Sequence, residues 1–149
     1  MPQEERNTIA YIASNILMSA YFVLHLRGLY ADGSFAGPDG VMHWARAVLW
    51  MIPLGVLATI VLVIAVTIVA AVLDGGSGPS NIVDERDRKI RSTGMQVAMV
   101  TASVGFLVAV GFLALDYPVL TGLNIIFAAF AVGSLAGDLT KFGLYRYGA

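Results

Sequence analysis

Long apolar stretches alternate with short polar connections along the whole of this chain. Four stretches, at residues 8–29, 45–73, 93–115 and 118–139, each provide the roughly 20 residues that a helix needs to cross a hydrocarbon core of about 30 Å. A lone strand in lipid leaves its backbone hydrogen-bonding groups unsatisfied, whereas a helix satisfies them internally. The pattern therefore predicts an all-α integral membrane protein, a four-helix bundle that forms a single domain over residues 1–149. We call the stretches spans one to four.

Span two is the most apolar of the four, because residues 48–73 contain no charged side chain. It is rich in β-branched residues, which favour strands in water, but the backbone argument still predicts a helix. Pro53 lies early in this span and has no backbone N–H to donate. It predicts either a kink or the first turn of the helix.

The composition agrees with a membrane location and excludes several kinds of function. Hydrophobic residues make up 58% of the chain and charged residues 13%, whereas a soluble domain has roughly 45–50% apolar residues. The net charge of −1 provides no basic surface field, so we expect no direct nucleic-acid partner. The absence of cysteine rules out disulfides, thiolate metal sites and cysteine nucleophiles.

The basic residues are divided unequally between alternate connections. Seven fall before span one, between spans two and three, or after span four: Arg6, Arg86, Arg88, Lys89, Arg91, Lys141 and Arg146. Two, Arg27 and Arg46, flank the connection between spans one and two. The positive-inside rule assigns the larger group to the cytoplasm. We therefore expect a bacterial inner-membrane protein with both termini and the loop 74–92 inside the cell.

The other two connections are short. Residues 116–118 join spans three and four, so these spans are predicted to form a tight antiparallel hairpin. Residues 31–43 contain Asp-Gly and Gly-Pro pairs, which are typical of turns and predict a short ordered loop.

The loop 74–92 ends in a charged segment, residues 84–91. Within it, acids precede bases by four positions, a spacing that stabilises a helix by roughly 0.2–0.5 kcal/mol per pair. The pairs are Asp84 with Arg88, Glu85 with Lys89, and Asp87 with Arg91. The segment predicts a helical extension of span three. Two interpretations stay open: a surface for a partner or for anionic lipid headgroups, which would include Arg86, and a self-paired solvated helix that fixes topology, which the pairing favours.

Two short motifs resemble a family of small bacterial four-span membrane proteins of unknown function. They are the run Val83-Asp84-Glu85-Arg86-Asp87 before span three and the closing pattern Asp138, Lys141 and Tyr145-Arg146-Tyr147-Gly148. The resemblance covers residues 80–148. Members of that family look like companions of small helix-turn-helix regulators, so the resemblance implies a membrane-side signalling or sequestering role.

Polar residues inside the spans are costly in lipid and are therefore candidates for function. They are Asn15, Asn124, Asp138 and Lys141. Asp138 precedes Lys141 by three residues, which favours a structural ion pair, and a role of Asp138 in transport is the alternative. For the two asparagines we favour hydrogen bonds between helices, of order 1 kcal/mol each.

Small residues recur at helical spacing on spans three and four. They are Gly94, Ala98, Ala102 and Gly105 on span three, and Gly133 and Gly137 on span four. Such stripes let two backbones approach closely, and helix association in lipid depends on that packing. They predict a close interface between spans three and four. A homodimer through a remaining stripe is a further hypothesis.

The sequence contains no motif for catalysis or for binding a metal or cofactor. It has no Ser-His-Asp grouping and no phosphate-binding glycine loop, and His25 and His43 lie 18 positions apart, so they form no ligand pair at helical spacing. The predicted function is a non-enzymatic interaction or signalling partner that acts through the cytoplasmic loop and tail. Its expected partners are the lipid bilayer and either a second copy or another membrane or cytoplasmic protein. Two alternatives stay open: a small dimeric transporter or channel that uses Asp138 and Asn124, and an accessory subunit of a larger membrane complex.

Overall fold

The structure, a computed structural model, describes residues 3–73 and 85–148. Within these residues the chain forms α1 (Gln3–Ala31), α2 (Gly40–Leu73), α3 (Glu85–Ala114) and α4 (Val119–Tyr147). Each of these four helices is long and apolar enough to cross a membrane, as judged from length and composition. The prediction of an all-helical chain with four such helices is therefore confirmed.

The helices reach further than the apolar spans, most clearly at the charged segment and at the C-terminus. α3 already begins at Glu85, so the charged segment is helical from that residue onward, while residue 84 lies outside the described residues. α4 continues to Tyr147, eight residues past the end of span four at residue 139. The reason is that hydropathy marks the edge of the lipid, whereas a helix ends only where its backbone hydrogen bonding stops.

α4 lies at the centre of the arrangement. It packs against α3 and against α1, whereas α2 packs mainly against α1 and touches α4 at few positions. Across the bundle the helices therefore follow the order α3, α4, α1, α2. This order leaves α2 and α3 on opposite sides.

Small residues allow the backbones of α3 and α4 to come very close. A Cβ atom on Gly137 would lie 2.5 Å from the carbonyl oxygen of Gly94, and one on Gly133 would lie 2.7 Å from that of Ala98. Real Cβ atoms essentially never approach a backbone atom this closely. Gly94 of α3 lies opposite Gly137 of α4, and Ala98 lies opposite Gly133. Residue numbers therefore rise along one helix while they fall along the other, so the two helices are antiparallel.

The remaining members of the two small-residue stripes lie at the same interface. A Cβ atom on Gly105 would overlap the methyl group of Ala129, and one on Gly133 would contact Ala102. α3 and α4 therefore contact each other closely along these small residues. Because the two stripes face each other within one chain, neither is left to contact a second copy. The homodimer stays a prediction, and these stripes do not support it.

The connection between α3 and α4 closes with a hydrogen-bonded cap. The Asp116 N–H donates to the carbonyl oxygen of Leu113 at 3.2 Å, and the Tyr117 N–H donates to that of Phe112 at 3.2 Å. Asp116 has a φ of 63°, and the rings of Phe112 and Tyr117 pack with their centroids 4.9 Å apart. These features define a Schellman cap in which an aspartate occupies the left-handed position that glycine usually fills.

Large side chains, by contrast, fill the space between α1 and α2. Met18, Phe22 and Leu26 of α1 form a buried cluster with Met51 of α2. Phe127 of α4 completes this cluster, because its ring centroid lies 3.8 Å from that of Phe22.

The outer surface of the bundle is apolar. None of the residues in the most apolar 18-residue window of α2 is buried, and Trp50 is 77% exposed. Continuous exposed apolar surface of this extent is unfavourable in water, but lipid chains solvate it. The surface therefore agrees with contact with a bilayer.

Candidate functional site

Three segments that are distant in the sequence meet at one end of the bundle. They are the start of α1, the start of α3 and the end of α4, and we call this region, residues 4–6, 85–91 and 138–146, the charged end. The Arg146 Nε atom lies 3.4 Å from the Glu5 carboxylate, which connects α4 to α1. The guanidinium of Arg86 donates to the Leu144 carbonyl oxygen at 3.4 Å, which connects α3 to α4.

Several charged groups of this region are buried. Glu5 is only 8% exposed and Arg6 only 6%. A buried charge is tolerated when it is paired, and Glu5 has its partner in Arg146. The N-terminal residues are therefore part of the folded charged end, and the local sequence around them did not predict this.

The charged segment contacts α4 as well as its own helix. Its apolar residue, Ile90, is 1% exposed and faces the protein interior. The Tyr145 hydroxyl donates a hydrogen bond to the Asp87 carboxylate. The sequence paired Asp87 with Arg91 within the charged segment. Its contact with α4 is a tertiary feature that this spacing does not reveal.

The outward side of the charged end carries both signs of charge. Glu4 and Asp87 line a small recess of about 170 Å³ together with Arg88 and Arg91. Arg88, Lys89 and Arg91 are all exposed. The recess therefore offers guanidinium donors beside carboxylate acceptors, an arrangement that suits a protein surface of mixed charge better than a purely anionic ligand.

The ion pair predicted for span four lies just inside this region. The Lys141 ammonium is 2.5 Å from the Asp138 carboxylate, and the Asp138 residue is 7% exposed. The Lys141 ammonium also lies 5.8 Å from the centre of the Tyr11 ring, and its aliphatic stem runs against Gly94. The pair therefore joins α1, α3 and α4 where they enter the apolar region.

The two intramembrane asparagines lie elsewhere and connect helices. The Asn15 amide donates to the Ala131 carbonyl oxygen at 3.3 Å. Asn124 accepts a 2.8 Å hydrogen bond from the Trp44 indole N–H and donates to the Tyr30 hydroxyl at 3.3 Å. These contacts agree with the interpretation that both asparagines hold helices together.

Asn124 and Asp138 are therefore not parts of one site. They are 14 positions apart on α4, which corresponds to roughly 21 Å along the helix axis. Asn124 contacts the α1–α2 end of the bundle, whereas Asp138 belongs to the charged end. A transport path that used both groups would have to cross most of the apolar region.

Comparisons with known proteins do not assign the chain to a family. The resemblance of the charged segment and the C-terminal pattern to small four-span bacterial proteins stays a prediction, based on short motifs in residues 80–148. No family model, curated protein or solved structure matches this chain.

Proposed function

We propose that this chain is a non-enzymatic membrane protein that binds a protein partner through its charged end. The observation that carries the proposal is the convergence of the first turns of α1 and α3 with the last turns of α4, which turns three separate polar segments into one surface. Ion pairs and hydrogen bonds between the helices hold this surface, so it is presented in a fixed shape. Pre-organised surfaces bind with a smaller entropic cost than flexible ones.

The distribution of positive charge supports a cytoplasmic position for this surface. Seven of the nine Lys and Arg residues belong to the charged end, and the two others, Arg27 and Arg46, flank the opposite connection. The positive-inside rule then favours an inner-membrane protein with both termini in the cytoplasm. A cytoplasmic protein, or the cytoplasmic face of another membrane protein, is accordingly the proposed partner.

The alternatives have less support. Transport through Asp138 and Asn124 needs two groups that are far apart and already engaged with neighbouring side chains. An accessory subunit of a larger complex would use the same charged end, and it differs from our proposal in being unstable when isolated.

Site-specific photo-crosslinking in the native host tests the proposal. A photoreactive residue at Tyr147, which is 90% exposed at the end of α4, should give discrete adducts with a protein partner. The charge reversal Arg88→Glu/Lys89→Glu changes two exposed side chains of the charged segment and should remove these adducts. Electrostatic complementarity across the interface is the physical reason for the expected loss.

The matched control is Arg27→Glu, which reverses an exposed charge at the other end of the bundle. This variant should leave the adducts unchanged. Equal adducts in the parent protein, in Arg88→Glu/Lys89→Glu and in Arg27→Glu would exclude the charged end as the binding surface. The same conclusion would follow if Tyr147 gave only lipid adducts while the chain was present at its normal level.

A further inference from the structure

A groove of about 600 Å³ lies between α1 and α2, at the opposite end of the bundle from the charged end. Its α1 wall includes Tyr21 and His25, whose rings stack with centroids 5.8 Å apart. Its α2 wall includes His43, Arg46 and Trp50. The volume falls within the range of roughly 300–1,000 Å³ that is typical of small-molecule sites.

The charged and imidazole side chains of the groove lie toward one end. Arg46 and His43 lie within the first two turns of α2, near the connection to α1, and none of the described residues that line the groove is acidic. Among the residues that the structure describes, Arg46 forms no salt bridge with a carboxylate, and it is exposed. An imidazole has an N–H to donate in either charge state. His25, His43 and Arg46 therefore all offer hydrogen-bond donors at this end of the groove.

The rest of the groove is mainly apolar, and its length matches one leaflet of a bilayer. The α2 wall continues from Arg46 to Leu57, which corresponds to roughly 17 Å of helix. Half of a hydrocarbon core is about 15 Å thick. A molecule with a polar group at the α1–α2 connection and one chain along the groove would therefore extend from the membrane surface to its middle.

We propose that this groove binds an anionic phospholipid of the leaflet at the α1–α2 connection. Arg46 contacts the phosphate, because a guanidinium presents two parallel donors to phosphate oxygens. His25 and His43 donate further hydrogen bonds at the headgroup. One acyl chain lies along Met51 and Leu57, whose surfaces require an apolar occupant.

Charge complementarity decides between this occupant and others. A zwitterionic lipid brings its own cation close to Arg46, and a neutral amphiphile leaves the guanidinium without a counter-ion. A free phosphate compound satisfies Arg46 but leaves the apolar wall empty. Only a lipid with net negative charge satisfies both ends of the groove.

Native mass spectrometry of the full chain in detergent tests the proposal, with phosphatidylglycerol as the probe. Phosphatidylcholine with the same acyl chains and soluble glycerol 3-phosphate are the comparison ligands. Arg46→Gln should weaken phosphatidylglycerol binding roughly tenfold, because a charge-assisted contact is lost. Arg27→Gln is the matched control. Arg27 is exposed and lies in the half of α1 that contains His25, but it does not line the groove.

A second pair of variants tests the apolar wall independently of charge. Leu57→Trp fills the groove and should also weaken phosphatidylglycerol binding, whereas Val56→Trp places the same bulk at an exposed neighbouring position outside the groove. Equal binding of the two lipids, or equal binding by the Arg46→Gln and Arg27→Gln proteins, would overturn the proposal. Binding of glycerol 3-phosphate as tight as that of the lipid would likewise exclude a lipid site.

Discussion

The two helix pairs of this protein are assembled by opposite means. α3 and α4 meet through glycine and alanine, so that the Cβ position of Gly137 is already occupied by the backbone of Gly94. α1 and α2 meet through Met18, Phe22 and Met51, and they leave a groove of about 600 Å³ beside the contact. Lipid solvates apolar surface, so association of helices in a membrane depends on close backbone packing, which gives α3 and α4 a defined geometry. The larger side chains between α1 and α2 leave space that a ligand can fill.

Gly137→Ala should have the largest effect on stability. The added methyl group would lie 2.5 Å from the Gly94 carbonyl oxygen and 3.0 Å from the Ala98 Cβ, so α3 and α4 must separate. We expect a loss of about 3 kcal/mol in the free energy of unfolding. Reversible unfolding in mixed detergent micelles, followed by circular dichroism, measures it.

The control for this substitution is Gly143→Ala on the same helix. Nothing lies within 4 Å of the Cβ position of Gly143, so the change should be neutral or slightly stabilising. If the two variants have equal stability, the α3–α4 interface is not as close as the structure indicates.

Asp138→Ala should have the second largest effect. It leaves the Lys141 ammonium without its partner in a region where the Asp138 residue is 7% exposed. We expect a loss of about 2 kcal/mol, less than for a fully buried pair because the long lysine side chain can reach the membrane surface. The same micelle assay should show that Asp138→Ala/Lys141→Met recovers most of this loss, and a double variant no more stable than the single one would contradict the pairing.

Asp116→Gly should stabilise the protein. The α1–α2 connection has Gly33 at a positive φ of 73°, whereas the α3–α4 connection has Asp116 at 63°. An L-residue in this conformation costs roughly 1–2 kcal/mol, of which an aspartate recovers part, so we expect a gain of about 1 kcal/mol. Thermal unfolding measures the gain, and a lower unfolding temperature would show that the Asp116 side chain contributes more than its backbone conformation costs.

Ser14→Ala should have the smallest effect. The hydroxyls of Ser14 and Thr59 lie 2.7 Å apart between α1 and α2, and Thr59 also donates to the carbonyl oxygen of Gly55. Hydrogen bonds between membrane helices contribute on average about 0.6 kcal/mol, and Thr59 keeps its second contact. A loss above roughly 2 kcal/mol in the micelle assay would mean that α1 and α2 depend on this polar contact as strongly as α3 and α4 depend on glycine.

The candidate site was only partly predictable. The acid–base spacing predicted that α3 extends into the charged segment, and the spacing of three residues predicted the pair of Asp138 with Lys141. The contacts of Glu5 with Arg146 and of Tyr145 with Asp87 had no local signal. Each of these residues contacts a partner more than 50 positions away in the sequence. The spacing of residues along the chain does not show which distant residues come together.

The sequence by itself determined the number of helices and the residues of the α3–α4 interface. A bilayer imposes a minimum length of apolar helix, and small residues at a spacing of four must lie on one face, so both features follow from local rules. The tertiary structure alone decided that α4 lies between α3 and α1, and that three polar segments share one end. It also decided that α1 and α2 enclose a groove beside Arg46. The physical reason is that helix order and cavities depend on how whole side chains fill space between helices, and hydropathy along the chain records only their contact with lipid or water.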